Sequence, residues 1–480
     1  MCGRQCSKKL WQTVYDPEPV EEPLPGTIKG IGIEVGIKAR LLWPGGVLVE
    51  TNIYDDYTEA INRTKALIAD PSVPAIFEAA LTHHGVLVRV DALERLHDGR
   101  WRLNEVKSST RIKDEHLEDV ALQTHVIVGA GLDLADAYIV YINDKYVRNK
   151  DVDWNTLFCR EDVSQNLIPF LPSVPERIAE MHSVLCSTEA PQIRPSRHCF
   201  KPYDCEFWQR CISDKPKDWV LHIPRISSTD FDELQSFDVV SMRDVPNGFP
   251  LNPKQRRIVD VAKSGKVYRS PELAKILPPL APPVSYLDFE TFSPAIPIYL
   301  NTSPHQRIPF QWSWDYDNGT GSLIHAEFLS SGETDRRREF SETLLHASEQ
   351  FPAVIIAWSQ FEEKVIRDMS ELFPDLAERL AALLYRIVDL LQIVRDHVAH
   401  PDFCGSYSMK AVAPAVAPEV SYGDLDIADG GDASAAFYRI VADPLLAPEA
   451  RDELRQCLLK YCHRDTIALA QVHQWLIQDT

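Results

Sequence analysis

Two alternating apolar runs, Val86–Leu93 and Trp101–Lys107, flank His97-Asp98-Gly99, and such a pattern reads as a β-hairpin. Strand side chains alternate faces, so Glu105 and Lys107 point the same way. The turn decides whether Asp91 joins them. A two-residue Asp98-Gly99 loop sets Asp91 opposite Val106. A three-residue loop with Gly99 in the left-handed region sets Asp91 opposite Glu105. The second register gathers two carboxylates and one ammonium, a set suited to a divalent metal and a polarised water. A surface hairpin with scattered charges is the plainer alternative, and the rest of the chain has to decide.

At 480 residues the chain exceeds a single core and implies two or three domains. Its 45% hydrophobic and 25% charged residues describe an ordinary soluble globular protein. No apolar run approaches the roughly 18–20 residues of a membrane span. The opening MCGRQCSKKLWQ lacks the apolar core of a signal peptide, so a cytoplasmic location and no membrane partner are expected. The net charge is −20, and residues 281–480, with 15 basic and 30 acidic side chains, contribute −15 of it. That argues against a polycationic coat for duplex DNA. It leaves metal-assisted chemistry on phosphates open, because bound cations neutralise phosphate locally.

The fold class expected is α/β, with two mixed-sheet domains joined by a small helical connector. The first block, 1–217, runs strand, strand, helix (His116–Gly131), strand (Ala137–Asn143) and ends in a cysteine-rich segment. The connector, 218–279, ends in the proline-rich Leu277-PPLAPPV. The third block, 280–480, opens with SYLDFET, whose Asp288 and Glu290 share a strand face. Strands at Pro309–Tyr316 and Ser322–Leu329, a helix at Thr334–Gln350, a strand at Ala353–Trp358 and a final helix near Ala450–Ile477 follow. This is the order of an RNase H-like fold. On the last helix Tyr461 and Asp465 stack at i, i+4. Asp389 reads as a helix N-cap, and Trp312, Trp314 and Trp358 as core rather than base-stacking residues.

Ten cysteines in a cytosolic chain favour a metal site or inert thiols over disulfides. Cys199, Cys205 and Cys211 follow a C-x5-C-x5-C spacing that could hold zinc or an iron–sulfur cluster, given a distant fourth ligand. Cys159, Cys186, Cys404, Cys457 and Cys462 read as isolated core thiols, and His198 as a solvent-facing neighbour.

LDFET, AWSQFEE and YCHRD resemble the three motifs of the DEDD 3′–5′ exonuclease superfamily in its tyrosine-bearing subgroup. With IPFQWSW and GSYSMKAVAP, they are more narrowly similar to an uncharacterised bacterial family, domain of unknown function 2779. The resemblance implies that Asp288, Glu290 and Asp465 bind Mg²⁺ or Mn²⁺ and that Tyr461 holds the nucleophilic water. The middle motif departs from the superfamily: Glu362 stands for its usual aspartate and Ser359 for its upstream asparagine.

The first block resembles RecB-like PD-(D/E)XK nucleases, restriction-endonuclease-like in fold, and especially the CRISPR-associated exonucleases with an iron–sulfur cluster. It carries Glu34 in GIEVG, Asp91 in RVDAL, Glu105-Val-Lys107, and Gln123 on the next helix. By that resemblance Asp91 and Glu105 bind metal, Glu34 assists, and Lys107 stabilises developing charge. Gln123 would contact substrate, although Ile127 replaces the tyrosine expected four residues on. Cys6, or its competitor Cys2, would join Cys199, Cys205 and Cys211 around a 4Fe–4S cluster, with zinc the alternative. The expectation is a metal-dependent nuclease acting on single-stranded ends of nucleic acid, DNA ahead of RNA. The competing readings are a non-catalytic binding protein, and an active second domain fed by a first domain acting as a clamp.

Overall fold

The computed structural model describes residues 2–19, 23–50 and 57–478, which divide into two compact units. Both are mixed α/β.

The first unit comprises Met1–Cys211 with Pro294–Gln306. Its six-stranded sheet runs in sequence order: β1 (Val47–Leu48), β2 (Ala75–His83), β3 (Val86–Arg95), β4 (Trp101–Lys107), β5 (Leu134–Ile142) and β6 (Phe158–Asp162). β2, β3 and β4 form an antiparallel meander, whereas β5 lies parallel to β4. A parallel neighbour requires a crossover, and the helix Asp114–Gly129 supplies it. Alternation gives the sheet two apolar faces. Ile76, Leu93 and Leu103 pack with Val120 and Ile127 of the crossover helix. Phe77, Ala92 and Val140 pack with Val35 and Ala39 of the helix Ile28–Ala39, and with Ala295 and Ile296.

The hairpin adopts the three-residue register. Ala92 faces Asn104 and Arg95 faces Trp101, and continuing that register puts Asp91 opposite Glu105. Leu96 N–H bonds Arg100 carbonyl at 2.8 Å, enclosing His97-Asp98-Gly99, with Gly99 at φ +86°. A Cβ at Gly99 would meet nothing within 4 Å, so only the backbone conformation demands glycine. Gly99→Val is therefore expected to lower stability by about 1–2 kcal/mol, measured as a lower denaturant midpoint with an unchanged m-value.

The second unit comprises Ile212–Ser293 with Arg307–Thr480. It takes in the connector, whose helices span Ser228–Ser236 and Pro253–Ser264. A short strand, β7 (Tyr268–Arg269), follows. The main strands are β8 (Val284–Phe292), β9 (Ile308–Asp317), β10 (Leu323–Leu329), β11 (Val354–Ala357) and β12 (Ile387–Asp389), in spatial order β10-β9-β8-β11-β12. β8, β9 and β10 are antiparallel, and β11 and β12 parallel to β8. β13 (Val398–Ala399) pairs with β7.

Period-two alternation along β8 sorts the two faces. Leu287 and Phe289 join Phe340, Leu344 and Val365 from the helices Arg337–Gln350 and Phe361–Leu372. Val284 and Tyr286 face Leu469, Val472 and Leu476 of the C-terminal helix Pro448–Gln478. Asp288 and Glu290 continue that second face, which brings them under the same helix. No helix among the described residues is long and apolar enough to cross a membrane.

Trp312 and Trp314 are core, at 3% and 0% exposed, but Trp358 is half-buried and lines a cleft. Asp389 accepts Gln392 N–H as an N-cap. The isolated cysteines depart from expectation: Cys186 is exposed, Cys159, Cys404 and Cys457 are half-buried, and only Cys462 is buried. Cys186 and Cys404 cap helix ends, Cys159 sits on the edge strand β6, and Cys457 lies on the C-terminal helix beside Asp426, so apolar neighbours in sequence did not become apolar neighbours in space.

Candidate functional sites

In the first unit the hairpin brings Asp91, Glu105 and Lys107 together with the crossover helix. Lys107 Nζ bridges Glu105 Oε1 and Asp119 Oδ2, each at 2.7 Å. Gln123 Nε2 donates to the other Glu105 oxygen at 2.7 Å, and Asp91 accepts Val106 N–H at 2.7 Å. Burial raises the Asp91 carboxyl to about 6. Burial and the Asp91 charge likewise push Glu105 well above the usual carboxylate range. Burial works against the Lys107 ammonium, but Glu105 and Asp119 outweigh it and raise its pKa. Lys107 thus stays charged, as a group stabilising developing negative charge must.

Asp119 was not anticipated; its i, i+4 relation to Gln123 in DVALQ was the available signal. Directly beside Asp91 the β2 ladder skips Glu78, which holds φ +55° and is anchored by Arg40 and Arg89, each at 3.1 Å. Such strain in a non-glycine residue clusters at working sites. Glu34 lies on the helix packed against the opposite face of the sheet, around Val106. Its carboxylate does not gather with Asp91 and Glu105 within 4.8 Å.

The cysteine segment also belongs to this unit. Gln5 Nε2 donates to the carbonyls of His198, Cys199 and Tyr203 at 3.1, 3.2 and 2.6 Å, and Lys9 pairs with Glu206 at 2.6 Å. Cys6, the residue before the helix Ser7–Tyr15, is thereby docked onto the segment that holds Cys199, Cys205 and Cys211. All four thiols are free. No three of their sulfurs lie within 4.8 Å of one another, closer packing than that being required around a single tetrahedral zinc ion. His198 is half-buried rather than solvent-facing: its ring bonds the Ser196 hydroxyl at 2.6 Å and lies 3.6 Å from Cys199 Sγ.

The second unit carries the denser acid cluster. Asp288, Glu290 and Asp465 each place one oxygen within 4.8 Å of the others. They line a cleft of about 480 Å³ with Trp358, Lys410 and Tyr461. Glu362, in the first turn of its helix and 2% exposed, has an Oε2 with no hydrogen-bond partner. Burial, then mutual repulsion, pushes Asp288, Glu290 and Glu362 well above the usual range. Asp465 rises to about 6 through burial, restrained by the hydroxyls of Tyr422 and Tyr461 and by Lys410.

Three partners escaped the sequence. Tyr422 donates to Asp465 at 2.6 Å, the Cys462 thiol donates to Asp288 Oδ2 at 3.3 Å, and Lys410 bonds the Ala428 carbonyl with its ammonium 5.5 Å from the Tyr461 ring centre. Tyr422 and Lys410 come from irregular or short elements with no periodicity to follow. Cys462 was visible beside Tyr461 but read only as a core thiol. Burial and the Asp465 and Glu290 charges raise Tyr461 far above a free phenol. It remains a hydrogen-bond donor that can orient a water and cannot serve as a base.

Four crowded carboxylates, Glu290 and Glu362 buried and Asp288 and Asp465 half-buried, cannot all ionise beside one ammonium without a cation. The donors are all hard oxygens, a set suited to Mg²⁺ or Mn²⁺.

Residues 285–408 match the family model described as Domain of unknown function (DUF2779). The matched region takes in Asp288, Glu290 and Glu362 and ends just before Lys410. No curated protein and no solved structure matched the chain.

Proposed function

We propose that the chain is a metal-dependent nuclease whose principal site is the Asp288–Glu290–Asp465 cleft, acting on single-stranded ends of nucleic acid, DNA ahead of RNA. The convergence of those three carboxylates, Glu290 buried and Asp288 and Asp465 half-buried, from a strand and the C-terminal helix, carries the reading. The strand order β10-β9-β8-β11-β12 supports an RNase H-like fold for this unit, and the motif resemblance supports a DEDD exonuclease. The meander-crossover order β2-β3-β4-β5, with Asp91, Glu105 and Lys107 on it, supports a second, restriction-endonuclease-like nuclease centre in the first unit.

A divalent ion held by Asp288, Glu290 and Asp465 would supply Lewis-acid polarisation of the scissile phosphate and activation of water. The chain's own groups do the rest. Asp288 and Glu290 are fixed by the strand, and Asp465 by the Tyr422 hydroxyl. Tyr461 presents a protonated hydroxyl to orient the attacking water. Glu362 lies close enough to Asp288 for their charges to interact, and its extra methylene relative to aspartate would let it act through an intervening water. Lys410 supplies positive potential for the entering phosphate. In the first unit, Lys107 would play the corresponding part beside Asp91 and Glu105, and Cys6, Cys199, Cys205 and Cys211 would hold a 4Fe–4S cluster.

With Mn²⁺, the full chain should release nucleotides from 5′-labelled single-stranded DNA with a free 3′ end and leave the same strand intact when that end is blocked. Equal cleavage of both strands would refute end-directed action. No cleavage of DNA or RNA with either Mg²⁺ or Mn²⁺ would favour the non-catalytic binding alternative.

A further inference from the structure

Away from the acid cleft, the second unit gathers three side chains from three elements. Asp315 on β9, His325 on β10 and His463 on the C-terminal helix each place one ligand atom within 4.8 Å of the others. Asp315 is fully buried. Its Oδ1 lies 3.0 Å from His325 Nδ1 and its Oδ2 lies 3.5 Å from His463 Nε2. The Thr466 hydroxyl donates to Oδ2 at 2.6 Å and also meets Ser313 Oγ at 2.9 Å.

Three features of this arrangement favour a metal over a plain hydrogen-bonded network. Zinc bonds of about 2.0–2.1 Å in a tetrahedron separate ligand atoms by about 3.3 Å, and the two observed separations bracket that. The two imidazoles stack with centroids 3.7 Å apart. Burial lowers the His325 pKa, but Asp315 and Glu327 outweigh it and raise it, and a bound cation shared by the two stacked rings would take the place of that proton. His325 Nε2, the nitrogen turned away from Asp315, lies 3.3 Å from Glu327 Oε2. A carboxylate behind a histidine is the arrangement that fixes the tautomer of a metal-ligating ring.

We propose that Asp315, His325 and His463 form a transition-metal site for Zn²⁺ or an ion of similar softness. Two imidazoles and one carboxylate select such an ion over Mg²⁺. The ion would fasten the C-terminal helix to the β9–β10 hairpin. His325 and His463 are 27% and 37% exposed, which leaves a fourth position to solvent and makes the ion exchangeable with chelators. Because His463 sits between Tyr461 and Asp465 in sequence, the clamp also sets the helix that carries them. The assignment does not depend on nuclease activity.

The full chain, stripped by chelator, is loaded with Zn²⁺ alone, dialysed and counted for zinc, as wild type, His325→Gln, His463→Gln, Asp288→Asn, and the Asp288→Asn/His325→Gln double variant. Each histidine variant is expected to lose one equivalent relative to wild type, and the double variant one more than Asp288→Asn. Zinc should also protect both His325 and His463 of the unmodified wild type from carbethoxylation, read by peptide mass spectrometry, so the test survives any variant that fails to fold. Unchanged zinc counts in folded histidine variants, or equal modification of both rings with and without zinc, would overturn the site and leave a hydrogen-bonded Asp–His–His network.

Discussion

Asp288→Asn is expected to abolish hydrolysis in the second unit and, without metal, to raise the melting temperature. Loss of the central acid removes a ligand and the several kcal/mol of charge stabilisation an ion provides there, a fall on the order of 10³-fold or more. The gain in stability follows from the same crowding. Asp288 is half-buried, and its carboxyl is raised by desolvation first and then by the Asp465 charge. A carboxyl whose folded pKa lies above its unfolded value of 3.8 binds its proton more tightly in the native state. That contribution is present at acid pH and is lost as pH rises through the folded value. Asparagine carries no such liability. The stability advantage of Asp288→Asn over wild type should therefore be small near pH 4 and grow beyond pH 6, where Asp465 also ionises. It should shrink again when Mn²⁺ is added, because only wild type gains from the ion. Thermal melts across pH, with and without Mn²⁺, measure all three. A variant less stable than wild type at pH 8 without metal would contradict the account.

Lys107→Ala is expected to act with the opposite sign on stability. It strips the shared ammonium from Glu105 and Asp119, both held at 2.7 Å, and leaves two half- to fully buried carboxylates facing each other and Asp91. Removing one partner from a buried ion-pair network costs about 3–5 kcal/mol, and any cleavage by the first site should fall with it. Adding Glu105→Gln to Lys107→Ala should restore part of the stability, since one of the two orphaned charges is gone, while restoring none of the cleavage. Urea denaturation of the two single variants and the double variant gives the coupling directly. Additive losses would show that Lys107 and Glu105 do not form the pair described.

The two signs differ because the centres are built differently. The first unit sets one ammonium, Lys107, directly between Glu105 and Asp119, with Asp91 beside them. The second leaves four acids to one ammonium that already bonds the Ala428 carbonyl. The second has the larger excess of acid over ammonium, which is why the proposed chemistry rests on it first.

What was legible in the sequence follows local geometry. The register of the Asp91–Glu105 hairpin could be narrowed to two alternatives because turn lengths are discrete, and Gly99 at φ +86° selects one of them. Asp288 and Glu290 share a face by strand period, and Tyr461 and Asp465 by helical spacing. The helix between β4 and β5 began at Asp114 rather than His116, and the strand after it at Leu134 rather than Ala137, within the usual uncertainty of element ends. What escaped depends on tertiary convergence. Tyr422 reaches Asp465 across 43 residues, and Asp315, His325 and His463 meet from two strands and a helix with no shared period. Glu34 shows the converse: a motif in the expected order, on a helix whose apolar residues dock it on the face of β4 away from Glu105.

The central claim is that these acids work as metal-dependent nuclease centres. End-labelled single-stranded DNA incubated with Mn²⁺ and wild type, Lys107→Ala, Asp288→Asn or the double variant tests it most directly. Wild type is expected to cleave, Asp288→Asn to lower the rate by about three orders of magnitude, and the double variant and the chelated protein to leave the strand intact. Cleavage by the double variant at the wild-type rate, or a wild-type protein inert on every end-labelled strand, would contradict that claim.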